Sequence, residues 1–198
     1  MVSTLPPYRY AVDGLVLPIR VGGHPALDFC NTAAGRGEPD ALDYLDSYDH
    51  VAAFASEAGL VETRPEPSPA EAAAVLDAAK ELREALYRLC VSGHEDGAWS
   101  TVAGNVQAAA RAAALVPGSR ARWTLPPETG AAMPLLAIAQ SVGDLLLNVD
   151  LGHVRRCPGK GCGWLFLDPR GRRRWCSMAT CGNREKVRRH AARARASR

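Results

Sequence analysis

The stretch Cys157–His190, CPGKGCGWLFLDPRGRRRWCSMATCGNREKVRRH, holds four cysteines in two pairs. Four residues separate Cys157 from Cys162, four separate Cys176 from Cys181, and thirteen lie between the pairs. A structural Zn²⁺ takes four tetrahedral ligands at about 2.3 Å to sulfur, and a cysteine pair on a tight loop supplies two adjacent ones. Gly159, Gly161 and Gly163 surround the first pair and Gly182 follows the second, so the backbone can turn beside the sulfurs without a Cβ clash. The expected ligand set is Cys157, Cys162, Cys176 and Cys181, with zinc as the cofactor. Two disulfides would require an oxidising compartment, and neither spacing is the Cys-x-x-Cys of a redox pair. Iron takes the same ligand type; ligand softness and the Gly-rich paired loops point to zinc.

Between the pairs, Trp164-Leu165-Phe166-Leu167 reads as a short strand and Asp168-Pro169-Arg170-Gly171 as a type I turn. Arg172–Trp175 is the expected return strand, bringing Cys176 beside Cys157. After the second pair Asn183 reads as a helix N-cap and Glu185 favours the first turn, followed by an Ala/Arg tail of high helix propensity. Trp164, Phe166 and Trp175 are expected to form the small core of the ribbon, which has little other apolar mass.

The segment RWCSMATCGNREK, Arg174–Lys186, resembles the CGNR zinc finger, whose tetrad stands here as Cys181-Gly182-Asn183-Arg184. The upstream half, CPGKGCGWLFLDPRGRRRWC, resembles it too. In that family the finger follows an N-terminal ABATE domain in stress-induced transcriptional regulators. The run Leu27-Asp28-Phe29-Cys30-Asn31-Thr32 is similar to the segment that opens ABATE domains. The resemblance implies a transcriptional role; spacing and charge alone imply a metal-stabilised basic module.

The net charge of +3 conceals an asymmetry. Residues 1–151 hold 10 Lys+Arg against 19 Asp+Glu, whereas residues 152–198 hold 14 against 2. Such a basic block seeks an anionic partner, and nucleic acid is the first candidate because Lys and Arg neutralise phosphates. Arg184, Lys186, Arg188, Arg189 and Arg193 on the helix are the expected phosphate contacts, with Arg172, Arg173 and Arg174 extending the footprint. Double-stranded DNA is the expected target.

The rest of the chain reads as a mainly α domain, residues 1–150, with a short β element ahead of the zinc ribbon and basic helix, residues 151–198. Leu15–Val21 is strand-like, and Asp28 and Asn31 sit among apolar neighbours where a tie or cap is the commoner role and a ligand contact the rarer one. Helical periodicity sets in from Asp40. Ser68, Pro69 and Glu71 make a capping box for a helix reaching about Val91, Trp99–Leu115 reads as the next helix, and Met133–Asn148 as the most apolar, central one. The linker to Cys157 is too short for the ribbon to tumble freely.

Motifs of phosphate loops, zinc proteases and serine hydrolases are missing, so an enzyme is not expected. No run approaches the roughly 18 apolar residues of a membrane span, and prolines and charges interrupt the N-terminus where a signal peptide needs an apolar core. The expected location is cytoplasmic, with a small-molecule effector or a homodimer suiting a regulator. Two other readings stay open at this point: a zinc-stabilised RNA- or ribosome-associated protein, and an enzyme with a pocket around Asp28 and Asn31.

Overall fold

The computed structural model describes residues 8–196. The Pro-rich lead over residues 1–7 and the last two residues of the Ala/Arg tail lie outside them. Strands β1 (Arg9–Val12) and β2 (Leu15–Pro18) pair antiparallel around Asp13-Gly14, both in the left-handed region at φ 50 and 79. Asp-Gly is the pair that a two-residue hairpin of this kind selects, and it extends the expected strand at Leu15 into a hairpin.

A short helix, α1 (Pro25–Cys30), follows. His24 caps it, its Nδ1 accepting from the Ala26 amide at 3.2 Å, and its Nε2 lies 3.0 Å from Asp144 Oδ2. A two-residue pair, β3 (Ala33–Ala34) with β4 (Leu42–Asp43), stands where helix was expected from Asp40. Helix α2 is confined to Tyr48–Glu57, because Ser47 is extended (φ −149, ψ 169); Tyr44 and Leu45 are buried ahead of it.

Helix α3 (Pro69–Ser92) starts on the expected capping box, with Ser68 Oγ accepting from the Glu71 amide and Glu71 Oε2 accepting from the Ser68 amide at 2.8 Å. Helix α4 runs Asp96–Ala112 and stops short of the expected Leu115, which instead lies in a hairpin of β5 (Ala114–Val116) and β6 (Arg122–Thr124). Helix α5 (Met133–Asn148) has the bounds that its periodicity predicts, with Pro134 in the first turn. Ile138, Ala139, Val142 and Leu145 are fully buried, and α5 packs against α1, α2 and α4.

The helical stretch Pro127–Asn148 is, by length and a mean hydropathy of 1.5, apolar enough to cross a membrane, contrary to the reading of the sequence. Its most apolar window is 56% buried, which is the pattern of a core helix.

Ion pairs join α3 to the β3–β4 segment: Arg83 and Lys80 with half-buried Asp43, and Glu84 with Arg36. Arg83, 3% exposed, donates to Asp43 Oδ1 at 2.6 Å and Oδ2 at 2.8 Å and to Thr32 Oγ1 at 3.3 Å. Burial pushes the Asp43 carboxyl up, but the Arg83 bonds, the Leu45 amide and nearby Lys80 outweigh it and hold it below the usual range. Its ionised form is therefore the stabilised one, so its contribution is complete above about pH 4 and fades as pH falls through the lower folded value. Asp43→Asn should destabilise the protein by about 2 kcal/mol at neutral pH. Urea unfolding along a pH series should show that difference closing in acid.

The C-terminal ribbon shares the helical core. After a 3₁₀ turn (Leu151–His153), β7 (Val154–Arg156) pairs antiparallel with β8 (Leu165–Leu167), and buried Val154 and Leu165 belong to the main hydrophobic cluster. Asn31, fully buried, donates to Leu165 O at 2.9 Å and accepts from Leu165 N at 2.7 Å. The Leu167 amide donates to Gly22 O at 2.7 Å, and the Tyr87 hydroxyl to Gly163 O at 2.9 Å.

Candidate metal centre and basic helix

The β7–β8 hairpin builds the first cysteine pair. The Cys157 amide donates to Trp164 O at 2.8 Å, closing the hairpin, and the Cys162 amide donates to Gly159 O at 2.9 Å, turning the loop back on itself. A Cβ on Gly159 would stand 3.1 Å from Cys181 Sγ and 3.5 Å from Cys157 Sγ, so the backbone passes close to the thiols and a side chain here would crowd Cys181.

The return path differs from the expected strand. β8 pairs with β7, upstream, and Arg172–Trp175 is irregular. Buried Asp168 is the cause. Its Oδ1 accepts from the Arg172 amide at 2.9 Å and its Oδ2 from the Arg173 amide at 3.1 Å, so these amides are taken up locally. The Gly171 amide donates to Asp168 O at 3.2 Å, as the expected turn requires. The chain nevertheless delivers Cys176, whose amide lies 3.5 Å from Cys157 Sγ.

The second pair is set by a five-residue π-type turn, Met178–Gly182, which leads straight into helix α6 (Asn183–Ala196). Asn183 has helical dihedrals (φ −67, ψ −44), so it is not the N-cap that the sequence suggests; the extended residue at the entry is Ser177 (φ −152, ψ 135). The backbone must already coil before Asn183 for Cys181 to reach the other thiols. A Cβ at Gly182 would meet Met178 Sδ at 2.7 Å and Trp175 Cδ1 at 3.2 Å, so a side chain here would have to push the exposed Met178 aside.

The four thiols converge. All lie within 4.8 Å of one another, with Cys162 Sγ 3.7 Å from Cys176 Sγ and Cys176 Sγ 3.6 Å from Cys181 Sγ. A tetrahedron with zinc–sulfur bonds of about 2.3 Å has edges of about 3.8 Å, so the spacing fits the ion. Hydrogen bonds from Cys157, Cys162 and Cys176 hold the Cys181 thiol low, and Arg184 Nη2 donates to the same sulfur at 3.0 Å. The Arg184 guanidinium is in turn raised by that bond to Cys181. A centre of four thiolates has no open position for water and is structural in kind.

Around it Tyr44, Trp164, Phe166 and Trp175 form a second small core, as the aromatic content of the ribbon predicts. The expected footprint residues separate into groups. Arg172, Arg174, Arg184, Lys186, Arg188, Arg189 and Arg193 are all exposed. Arg188 pairs with Glu185 at 2.9 Å, and Arg174 stacks over Trp175. Arg173 is a tie: its guanidinium donates to Val21 O at 2.9 Å and to the Leu167 and Cys176 carbonyls, and lies 4.6 Å from the Phe166 ring centroid.

Asp28 and Asn31 are ties as well. Asp28 Oδ1 accepts from the Val21 and Gly22 amides at 2.8 and 2.7 Å, and both amide atoms of Asn31 are taken by Leu165. Burial raises the Asp28 carboxyl against these bonds. Asn31 thus ties α1 to the ribbon at Leu165. The role of Arg184 as a sulfur contact was hidden, because a cation three residues past a cysteine reads equally well as a surface charge.

Residues 153–194 match the CGNR zinc finger, and residues 23–148 match the ABATE family, described as "Putative stress-induced transcription regulator". No curated protein matches the chain.

Proposed function

Because more than half of its length matches, the chain belongs to the ABATE family, with a CGNR zinc finger behind that domain, and from that premise we propose that it is a DNA-binding regulator. The observation that carries this reading is α6: a helix rooted in the metal centre through Cys181 and Arg184, and exposed along its length with cations. Lys186, Arg189 and Arg193 are spaced at three and four residues and so share one face. That face, with Arg172 and Arg174 from the ribbon, follows the phosphates of a duplex. The acidic helical domain keeps non-specific contact to this end of the molecule.

In this reading Cys157, Cys162, Cys176 and Cys181 hold zinc, which supplies the fixed geometry of ribbon and helix. The protein acts by binding, without catalysis. An effector in the helical part would modulate it.

Each phosphate neutralised contributes about 0.9 to the slope of log affinity against log salt. Arg189→Ala should lower that slope by about one and leave the zinc content unchanged. Fluorescence anisotropy with a labelled duplex over a salt series reads both affinity and slope. A variant with wild-type affinity and slope would remove Arg189, and with it this face of α6, from the interface.

A further inference from the structure

Between β1, the β3–β4 segment, the zinc ribbon and α6 lies a cavity of about 380 Å³. Five buried side-chain polar atoms lack a hydrogen-bond partner among the described residues, and four belong to residues lining this cavity: Arg9 Nε, Tyr44 Oη, Trp164 Nε1 and Thr180 Oγ1. Tyr44, Trp164 and Thr180 are 3%, 4% and 5% exposed. Buried polar groups are normally satisfied, so such a concentration in one place calls for a partner. We propose that this cavity binds a small aromatic carboxylate and that its occupancy is transmitted to α6; the second half rests on the reading of α6 as the nucleic-acid contact.

The chemistry of the lining selects the guest. The Arg9 and Trp164 nitrogens are donors only, and the two hydroxyls can donate, so the guest must bring acceptors. The Arg9 guanidinium lies 5.0 Å from the Tyr8 ring centroid and 5.7 Å from that of Tyr44, so the wall on this side is a stack of flat groups suited to an aromatic ring. Arg9, Lys160, Arg184 and Arg188 line the cavity as cations against the carboxylates of Glu38 and Asp40, an excess of positive charge that suits an anion. The flat wall is what favours an aromatic carboxylate over inorganic phosphate. The volume falls within the ordinary range of small-molecule sites, about 300–1,000 Å³.

The cavity also touches the proposed DNA-binding element. Arg184 and Arg188, one turn apart, line it, while Lys186, Arg189 and Arg193 lie on another face of α6. A carboxylate drawn to Arg188 removes positive potential from the helix that must meet the phosphates. Guest and duplex therefore oppose each other, by the same factor in both directions.

Isothermal titration of the zinc-loaded full chain with sodium benzoate, and separately with inorganic phosphate at equal ionic strength, tests the site without reference to DNA. Benzoate should bind at one site per chain, at least about tenfold more tightly than phosphate. Trp164→Phe and Thr180→Val should each weaken benzoate about tenfold. Thr180→Ser should restore it. Because Thr180→Val removes only a hydroxyl left unpaired in the ligand-free protein, its ligand-free melting temperature should not fall, whereas Trp164→Phe also thins the small core of the ribbon and is compared at matched zinc content. Absence of benzoate binding, phosphate binding as tightly, or affinity unchanged in both variants would overturn the proposal. Saturating benzoate should then weaken duplex affinity; benzoate binding as expected in a protein with no duplex affinity would uphold the site, sink its link to α6, and show that the regulator reading had failed.

Discussion

Replacing Cys176 by serine should empty the metal site and unfold the ribbon, with elemental analysis falling from one zinc per chain toward none. Structural zinc sites contribute about 10–16 kcal/mol of apparent binding free energy near neutral pH, and in such modules that energy is folding energy. Cys176 Sγ sits 3.7 Å from Cys162 Sγ of the other pair and 3.6 Å from Cys181 Sγ of its own, so its loss removes a central member of the four-thiol set. The damage should spread past the ribbon. Val154 and Leu165 lie in the main hydrophobic cluster, so the melting temperature of the whole chain should drop. Cys30→Ser serves as the control for metal content, since Cys30 is buried in the helical core and is not one of the four converging thiols. A Cys176→Ser protein that stays ordered without metal would show that zinc is not what holds the ribbon.

Asn31→Ala should destabilise the protein by about 4 kcal/mol, since it leaves both the N–H and C=O of buried Leu165 unpaired at about 1–3 kcal/mol each and removes packing. The bonds concerned are 2.9 and 2.7 Å long and cross 134 residues of sequence. Asn31 in effect serves Leu165 as a neighbouring strand would. Urea unfolding should show a lower midpoint with an unchanged slope. Hydrogen exchange at the Leu165 amide should accelerate more than at α3, because the ribbon seam loses its tie first. A shift below about 1 kcal/mol would mean that Leu165 is satisfied without Asn31.

The metal ligands were legible because the chemistry that needs them is local: two pairs, each on its own short loop. Helices α3 and α5 were legible for the same reason, one from its capping box and the other from its apolar periodicity. What escaped depends on distant partners. The strand at Leu165 was visible, but its neighbour lies before Cys157, and only the claim of Asp168 on the Arg172 and Arg173 amides explains why the downstream segment does not pair. Leu115 fits an Ala-rich helix and a strand equally well, and its pairing opposite Trp123 decides between them. Arg173 looks like its neighbours in sequence; the carbonyls of Val21, Leu167 and Cys176 make it a structural cation. The cavity was invisible altogether, because Arg9, Tyr44, Trp164 and Thr180 meet only in the folded chain.

The measurement closest to the central claim is duplex-DNA affinity of the wild-type protein across a salt series, on material whose zinc content has been determined. The account predicts one zinc per chain and an affinity that falls steeply with salt, with a log–log slope of about −3 or steeper for three or more phosphates neutralised by α6. Zinc at one per chain with no duplex affinity at low salt would contradict it, leaving the metal centre as a purely internal support.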